Sequence, residues 1–447
     1  MTTDALRRRA VRAVWHPYTE ISSFEQAPFP VIDRAEGCSL FDVDGRELLD
    51  GIASWWCTNL GHGHPHIVEA IQTQASRLQH CLLGGVSHPR AIELGERLAG
   101  VVPRGLGHAM FAADGSVAVE AALKIALQYW VHRGEPRRTR FVALESGYHG
   151  DTLGAIGVGY VDGFHAPFRD AVRPSLRATS PHCARCPVGK APETCDVECF
   201  ASMEALVEEH RAECAAVVVE PLLQAAGGMR IHRDEYLRRL RALCDRHGLL
   251  LVADEIATGF GRTGAMFACE RAGVVPDVIT VGKGLTGGAL PLSATLVTDR
   301  VYDAFRAAGG RGRTFFHGTT FCGNPITAAA ALAALDVYRD ERVVEGIPSR
   351  AAILEAGMAR VARRLGGVPV RALGLVAAID VPESEGGAAR ARAVVARALE
   401  LGLFVRPLGP VLYLWPALNA PEGVLREMTA RLERAAEETA AHAAATG

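Results

Sequence analysis

Two charged residues end apolar runs: Asp254 follows Leu249-Leu250-Leu251-Val252-Ala253, and Lys283 follows Val278-Ile279-Thr280-Val281-Gly282. Ligands of open α/β sheets bind outside the carboxyl ends of the strands, where both residues fall. A buried carboxylate or lysine is costly unless partnered, so each needs an explanation. One explanation is that they pair with each other, since structural ion pairs are common. The other places both on one bound group. A lysine in a desolvated pocket gives up its proton and condenses with an aldehyde. A carboxylate opposite a pyridine nitrogen keeps that ring protonated and electron-withdrawing.

Two further pieces favour the second explanation. Asp114-Gly115-Ser116 stands directly before a helical pattern beginning at Val117. Glycine admits close backbone approach, and free helix N–H groups with their dipole favour an anion such as a phosphate. Alone, this stretch reads equally well as a loop with a serine N-cap. Gly147-Tyr148-His149-Gly150-Asp151 sets an aromatic, Tyr148, just past another apolar run, where it could cover a cofactor ring. Lysine, carboxylate, phosphate cradle and ring cover together describe a pyridoxal phosphate site. Gly259-Phe260-Gly261-Arg262-Thr263-Gly264 matches a dinucleotide fingerprint, but it lacks the tight strand-to-helix turn and is rejected.

The elements that must position these groups are legible as alternating runs. Buried strands are expected at Phe141–Leu144, Ala216–Val219, Leu249–Ala253, Val278–Val281 and Ser293–Val297, with helices such as Val117–Trp130 and Asp234–His247 between them. Continuous apolar strands separated by helices predict an α/β fold around a mostly parallel sheet covered on both faces. Beyond residue 330 come alanine- and arginine-rich helices with two short strands, near Val376–Val381 and Leu403–Arg406. The expected organisation is a large domain over 66–330 and a small domain built from 1–65 and 331–447.

With 48 basic and 50 acidic residues in 447, nothing favours a nucleic-acid partner. No run approaches the roughly 18 to 20 apolar residues that cross a bilayer. Seven of eleven cysteines are scattered in apolar surroundings, which with the odd total favours a reducing cytoplasm. The other four, Cys183, Cys186, Cys195 and Cys199, lie in an insert at 181–200 and have the count for a structural zinc or iron–sulfur site. Four reduced thiols in a surface loop are the alternative. His62, His64 and His66 sit among glycine and proline and read as a turn rather than a metal site.

Ala253–Gly264, Gly282-Lys283-Gly284 and His317-Gly318-Thr319-Thr320-Phe321 resemble the class III, fold-type I aminotransferases over nearly the whole chain. The resemblance implies that Lys283 is the covalent anchor of pyridoxal phosphate and Asp254 the partner of its ring nitrogen. It implies that Gly115 and Ser116 hold the phosphate, and that Thr319 and Thr320 serve the cofactor of a neighbouring subunit in a homodimer. Tyr18, Trp55, Tyr148 and Gly318 would line the substrate pocket. Arg406 would pair with a substrate carboxylate, for which a guanidinium is a bidentate match; a protein acid such as Glu220 is its other candidate partner. Trp55 and the adjacent Trp56 could also be plain core packing. Ala113-Asp114-Gly115-Ser116 departs from the family's usual Asp-Ser/Asn-Gly-Ser, so the cradle survives while its usual acidic side-chain partner does not.

Overall fold

A computed structural model describes residues 2–27, 29–307 and 312–445. The expected α/β sheet is present and has seven strands. From edge to edge their order is His108–Ala112, Ser293–Val297, Val278–Val281, Leu250–Asp254, Cys214–Val219, Arg140–Leu144, Leu176–Ala178. The five strands from Val278–Val281 to Leu176–Ala178 run parallel. Ser293–Val297 is antiparallel to both neighbours, so the sheet is mixed. The three middle strands, Val278–Val281, Leu250–Asp254 and Cys214–Val219, are buried throughout, as helix-covered strands rich in valine and leucine should be.

The helix Gly115–His132 buries Ala118, Ala121, Ala122 and Ala126. These small residues let its backbone lie close to the sheet. Asp114 caps it, accepting a 3.1 Å hydrogen bond from the Val117 N–H. The cap aims the first turn at the carboxyl ends of the parallel strands.

Strands from both chain ends share one smaller sheet, Ile32–Glu36, Ser39–Asp42, Glu47–Asp50 and Leu403–Phe404. A second small sheet, Arg371–Leu373, Val376–Asp380 and Val411–Leu414, is antiparallel. Between the first sheet and the large one, Ala53, Ser54, Trp55 and Trp56 all have positive φ. Such backbone is rare outside glycine and is held only where its surroundings over-determine it. Here the buried Asp50 accepts bonds from the Ile52 N–H, the Ser54 hydroxyl and His62 Nε2. The turn sends the two tryptophans apart. Trp56 is buried against Trp415, whereas Trp55 is half-exposed.

The cysteine insert follows the edge strand Leu176–Ala178 as turns and two short 3-10 segments. Cys183 is exposed, Cys199 is buried beside Phe200, and all four thiols are free. Among the described residues, no group of three or more His, Cys, Asp or Glu side chains is disposed to hold a metal ion. The metal expectation for Cys183, Cys186, Cys195 and Cys199 is therefore not supported. Burial, with the neighbouring thiols adding to it, raises the Cys199 thiol. His62, His64 and His66 pair separately with Asp50, Glu341 and Asp336; only the first two precede the helix Pro65–Arg77, in which His66 lies. No helix among the described residues is long and apolar enough to cross a membrane.

Candidate active site

Asp254 is the last residue of its strand, and Lys283 opens the turn two residues past the neighbouring one. They line one cavity of about 490 Å³ together with Gly115, Ser116, Tyr148 and Trp56. Lys283 and Asp254 do not neutralise each other directly. The Asp254 carboxylate accepts from His149 Nδ1 at 2.7 Å, the Thr280 hydroxyl at 3.1 Å and the Ile256 N–H at 3.1 Å. Lys283 makes no ion pair within 4 Å among the described residues. Burial pushes its amine below the usual lysine range, opposed by the charges of Asp254, Cys57 and Glu220. That leaves a buried nucleophilic amine facing a buried, hydrogen-bonded carboxylate.

The adjacent Glu255 points away and accepts from the Ala268 and Cys269 N–H groups and the Thr258 hydroxyl. Of the two acids in this motif, only Asp254 lines the cavity.

The stretch expected to hold a phosphate is a capped helix N-terminus at the cavity wall. Asp114 takes the Val117 N–H, and the first helical residues Gly115 and Ser116, whose N–H groups lack intrahelical partners, line the cavity. The turn carrying Tyr148 packs against this cradle, where the Ser116 hydroxyl accepts from the Asp151 N–H. Gly150 makes that approach possible: with φ +117, a Cβ there would lie 2.2 Å from Ser116 Oγ.

Beyond Tyr148 is a cluster that sequence reasoning named only in part. The Asp151 carboxylate accepts from the Tyr18 hydroxyl at 2.7 Å and the Tyr148 hydroxyl at 3.0 Å. His165 accepts the Val161 N–H at Nδ1, so its Nε2 proton faces Asp151 at 3.4 Å. Burial, with Asp151 adding to it, pushes the Tyr18 phenol up to about 12, and burial also raises Tyr148. Both phenols stay protonated donors. Trp55 lies edge-on to Tyr18 at 5.5 Å, and the Arg406 guanidinium sits 4.6 Å above the Trp55 ring. Arg406 does not pair with Glu220, which instead accepts the Tyr148 and Ala225 N–H groups.

His149, Thr280 and Asp151 were not assigned roles from the sequence, and Glu220 was offered only as a partner for Arg406, though signals existed. Thr280 lies directly opposite Asp254 in the parallel register. His149 and Asp151 flank the glycine of the Tyr148 turn. Gly318, Thr319 and Thr320 are not in this cavity. They line a separate groove of about 810 Å³ with Leu82 and Val86, bordered by the exposed Phe316 and Phe321.

Pyridoxal phosphate fits these residues. An unpaired buried amine, a carboxylate held by two side chains and a capped helix N-terminus surround one cavity. Residues 21–436 match the family described as aminotransferase class-III. The chain is 41% identical over 424 residues to the adenosylmethionine-8-amino-7-oxononanoate aminotransferase of Geobacter sulfurreducens, covering 93% of this chain and 94% of that protein. It is 43% identical over 445 residues to the protein of the same name in Nitratidesulfovibrio vulgaris, covering 95% and 80%. The crystal structure of that aminotransferase from Methanocaldococcus jannaschii matches with TM-score 0.91 at 32% identity, over 98% of this chain and 99% of that one. An (S)-enantioselective omega-transaminase from Thermomicrobium roseum matches with TM-score 0.91 at 28% identity, over 98% and 99%. This chain belongs to the class-III aminotransferases, enzymes that work with pyridoxal phosphate.

Proposed function

We infer that this aminotransferase transfers the amino group of S-adenosylmethionine to the 7-keto carbon of 8-amino-7-oxononanoate, giving 7,8-diaminononanoate in biotin biosynthesis. When bound, pyridoxal phosphate supplies an aldehyde that carries the amino group and a protonated ring that withdraws electrons from the substrate carbon. Asp254, positioned by His149 and Thr280, would hold the ring-nitrogen proton. The Gly115 and Ser116 N–H groups would take the phosphate, and Tyr148 would cover the ring. Lys283 would anchor the cofactor and, once displaced, accept and return the substrate proton at Nζ, because burial favours its neutral amine.

The observation that carries the substrate assignment is a cation receptor and an anion receptor at one site. Asp151, with Tyr18 and Tyr148 donating to it, offers a carboxylate to an ammonium. The keto acid carries such an ammonium on the carbon next to its reacting centre. Arg406, with no carboxylate partner among the described residues, offers a guanidinium to the distant substrate carboxylate. Aromatic walls between them tolerate two unlike substrates in turn. The names of the relatives support the same reaction.

The reading includes a homodimer, which the groove at Thr319 and Thr320 supports. Its exposed Leu82, Phe316 and Phe321 call for an apolar cover, and the Thr319 hydroxyl is buried without a partner. A second copy would supply that cover and receive Thr320 at its own phosphate. Eleven free thiols support a reducing, cytoplasmic location.

The test is a donor panel. Turnover of 8-amino-7-oxononanoate with S-adenosylmethionine, and little with lysine, ornithine or 4-aminobutyrate, is expected. Faster turnover with lysine would reassign the donor, and none with any donor would reassign the acceptor.

A further inference from the structure

Arg262 is fully buried, and its charge has no carboxylate partner among the described residues. One terminal nitrogen donates to the Leu375 and Pro416 carbonyls at 2.9 and 2.8 Å, and the other to Asn59 Oδ1 at 2.8 Å. Burial lowers it to about 9, which still leaves it charged at neutral pH. A buried cation satisfied only by neutral groups is an expensive arrangement, and its Nε has no partner at all. What it holds in place accounts for its presence.

Its contacts lead to Lys283 along two routes. Along the first, the Asn59 amide that Arg262 orients and the Tyr338 hydroxyl both pack on Gly284, the hydroxyl 3.1 Å from where a Cβ there would stand. That hydroxyl donates to the Gly284 carbonyl at 3.0 Å. Asn59 also fills the space where a side chain at 284 would stand, since a Cβ there would lie 2.3 Å from Asn59 Nδ2. Gly284 directly follows Lys283, whose φ of +42 is left-handed and disfavoured for any residue with a Cβ. Along the second route, the Arg262 guanidinium lies 4.8 Å over Trp415, which stacks on Trp56 at 5.0 Å. The Trp56 ring in turn lies 5.8 Å from Lys283 Nζ. One cation therefore braces both the backbone beneath Lys283 and the aromatic wall beside its amine.

We propose that Arg262, Asn59 and Tyr338 are positioning residues that hold Lys283 in its left-handed conformation, with its amine against Trp56 and aimed into the cavity. The proposal rests on the assignment of Lys283 as the cofactor's anchor. Released from the clamp, the 283–284 peptide relaxes toward ordinary backbone, the amine leaves its dry pocket, and its reactivity toward an aldehyde falls.

The test uses the three lysines of the chain, Lys124, Lys190 and Lys283, as reporters within one molecule. Cofactor-free full-length protein is treated with pyridoxal phosphate across a pH series and reduced with borohydride, and the adduct at each lysine is quantified by mass spectrometry. Tyr338→Phe keeps the ring stacked near Phe260 and removes only the hydroxyl. It is expected to slow the Lys283 adduct about fivefold or more, the scale of one lost buried hydrogen bond, and to move its pH midpoint upward. Asn59→Ala should act in the same direction, while Lys124 and Lys190 report no change. Tyr236→Phe is the control, because that buried hydroxyl has no partner. Wild-type Lys283 rates and midpoints in both variants would overturn the proposal, whatever happens to their melting temperatures. Failure of both to fold would overturn it too, assigning the brace to stability alone. A wild-type adduct that never appears on Lys283 would instead overturn the anchor assignment.

Discussion

His149 Nδ1 lies 2.7 Å from Asp254 Oδ2, with both side chains buried. Burial opposes a charged imidazole, but the hydrogen bond and charge of Asp254 outweigh it and raise His149 above its ordinary value. His149→Phe leaves Asp254 without its shortest partner. A hydrogen bond to a charged group is worth about 1.5–3 kcal/mol, so the affinity for pyridoxal phosphate should fall roughly tenfold to a hundredfold. Absorbance titration of cofactor-free protein checks this. Unchanged affinity would mean that Thr280 and the Ile256 N–H suffice.

Buried Glu220 makes the stability of the cofactor-free protein depend on pH. Burial pushes its carboxyl from 4.5 up to about 7, opposed by His149 and the Tyr148 N–H. Below pH 4.5 both folded and unfolded states hold the proton. Between 4.5 and 7 the folded state holds more, so stability is lost as pH rises through that window and then levels. The loss assigned to Glu220 is up to about 3 kcal/mol. Denaturant unfolding of Glu220→Gln should show a flatter pH dependence there than wild type; parallel curves would contradict it.

Asp151→Asn keeps the shape of the Tyr18–Asp151–Tyr148 cluster and removes its charge. The KM for 8-amino-7-oxononanoate should rise about tenfold or more, the worth of one charge-assisted bond, with cofactor affinity unchanged. Steady-state kinetics with a parallel cofactor titration separates the two. A fall in kcat alone would place Asp151 elsewhere in the cycle.

Thr320 offers a test that needs no structure of the dimer. Lys283→Ala and Thr320→Ala proteins are each expected to be impaired. Refolded as a mixture, half the dimers would pair one of each and hold one intact site of two, restoring about a quarter of wild-type activity. No recovery from the mixture would show that Thr320 does not serve the neighbouring site.

The strands at Val278–Val281 and Ser293–Val297 and the helix Asp234–His247 were legible to the residue, because their apolar runs are long and cleanly bounded. The edge strands His108–Ala112 and Leu176–Ala178 were not, since half-exposed positions blur a continuous apolar run. That Lys283, Asp254 and Gly115 come together at one cavity was legible because each sits at a strand or helix end, where the type of residue alone asks for a reason. Asp151 and His149 gain their roles from residues over a hundred positions away, Tyr18 and Asp254, which only the fold brings near. The separation of Trp55 from Trp56 depends on four consecutive positive φ angles, which no local pattern announced. The cysteine insert has the count and spacing for a metal, but among the described residues no group of three or more side chains is disposed to hold one.

The central claim is that Lys283 carries the cofactor, and one measurement meets it directly. Protein purified with pyridoxal phosphate is reduced with borohydride, digested and mapped by mass spectrometry. The phosphopyridoxyl mass should appear on the peptide containing Lys283, and Lys283→Ala protein should carry none. The same mass on Lys124 or Lys190, or its persistence in Lys283→Ala, would contradict the account.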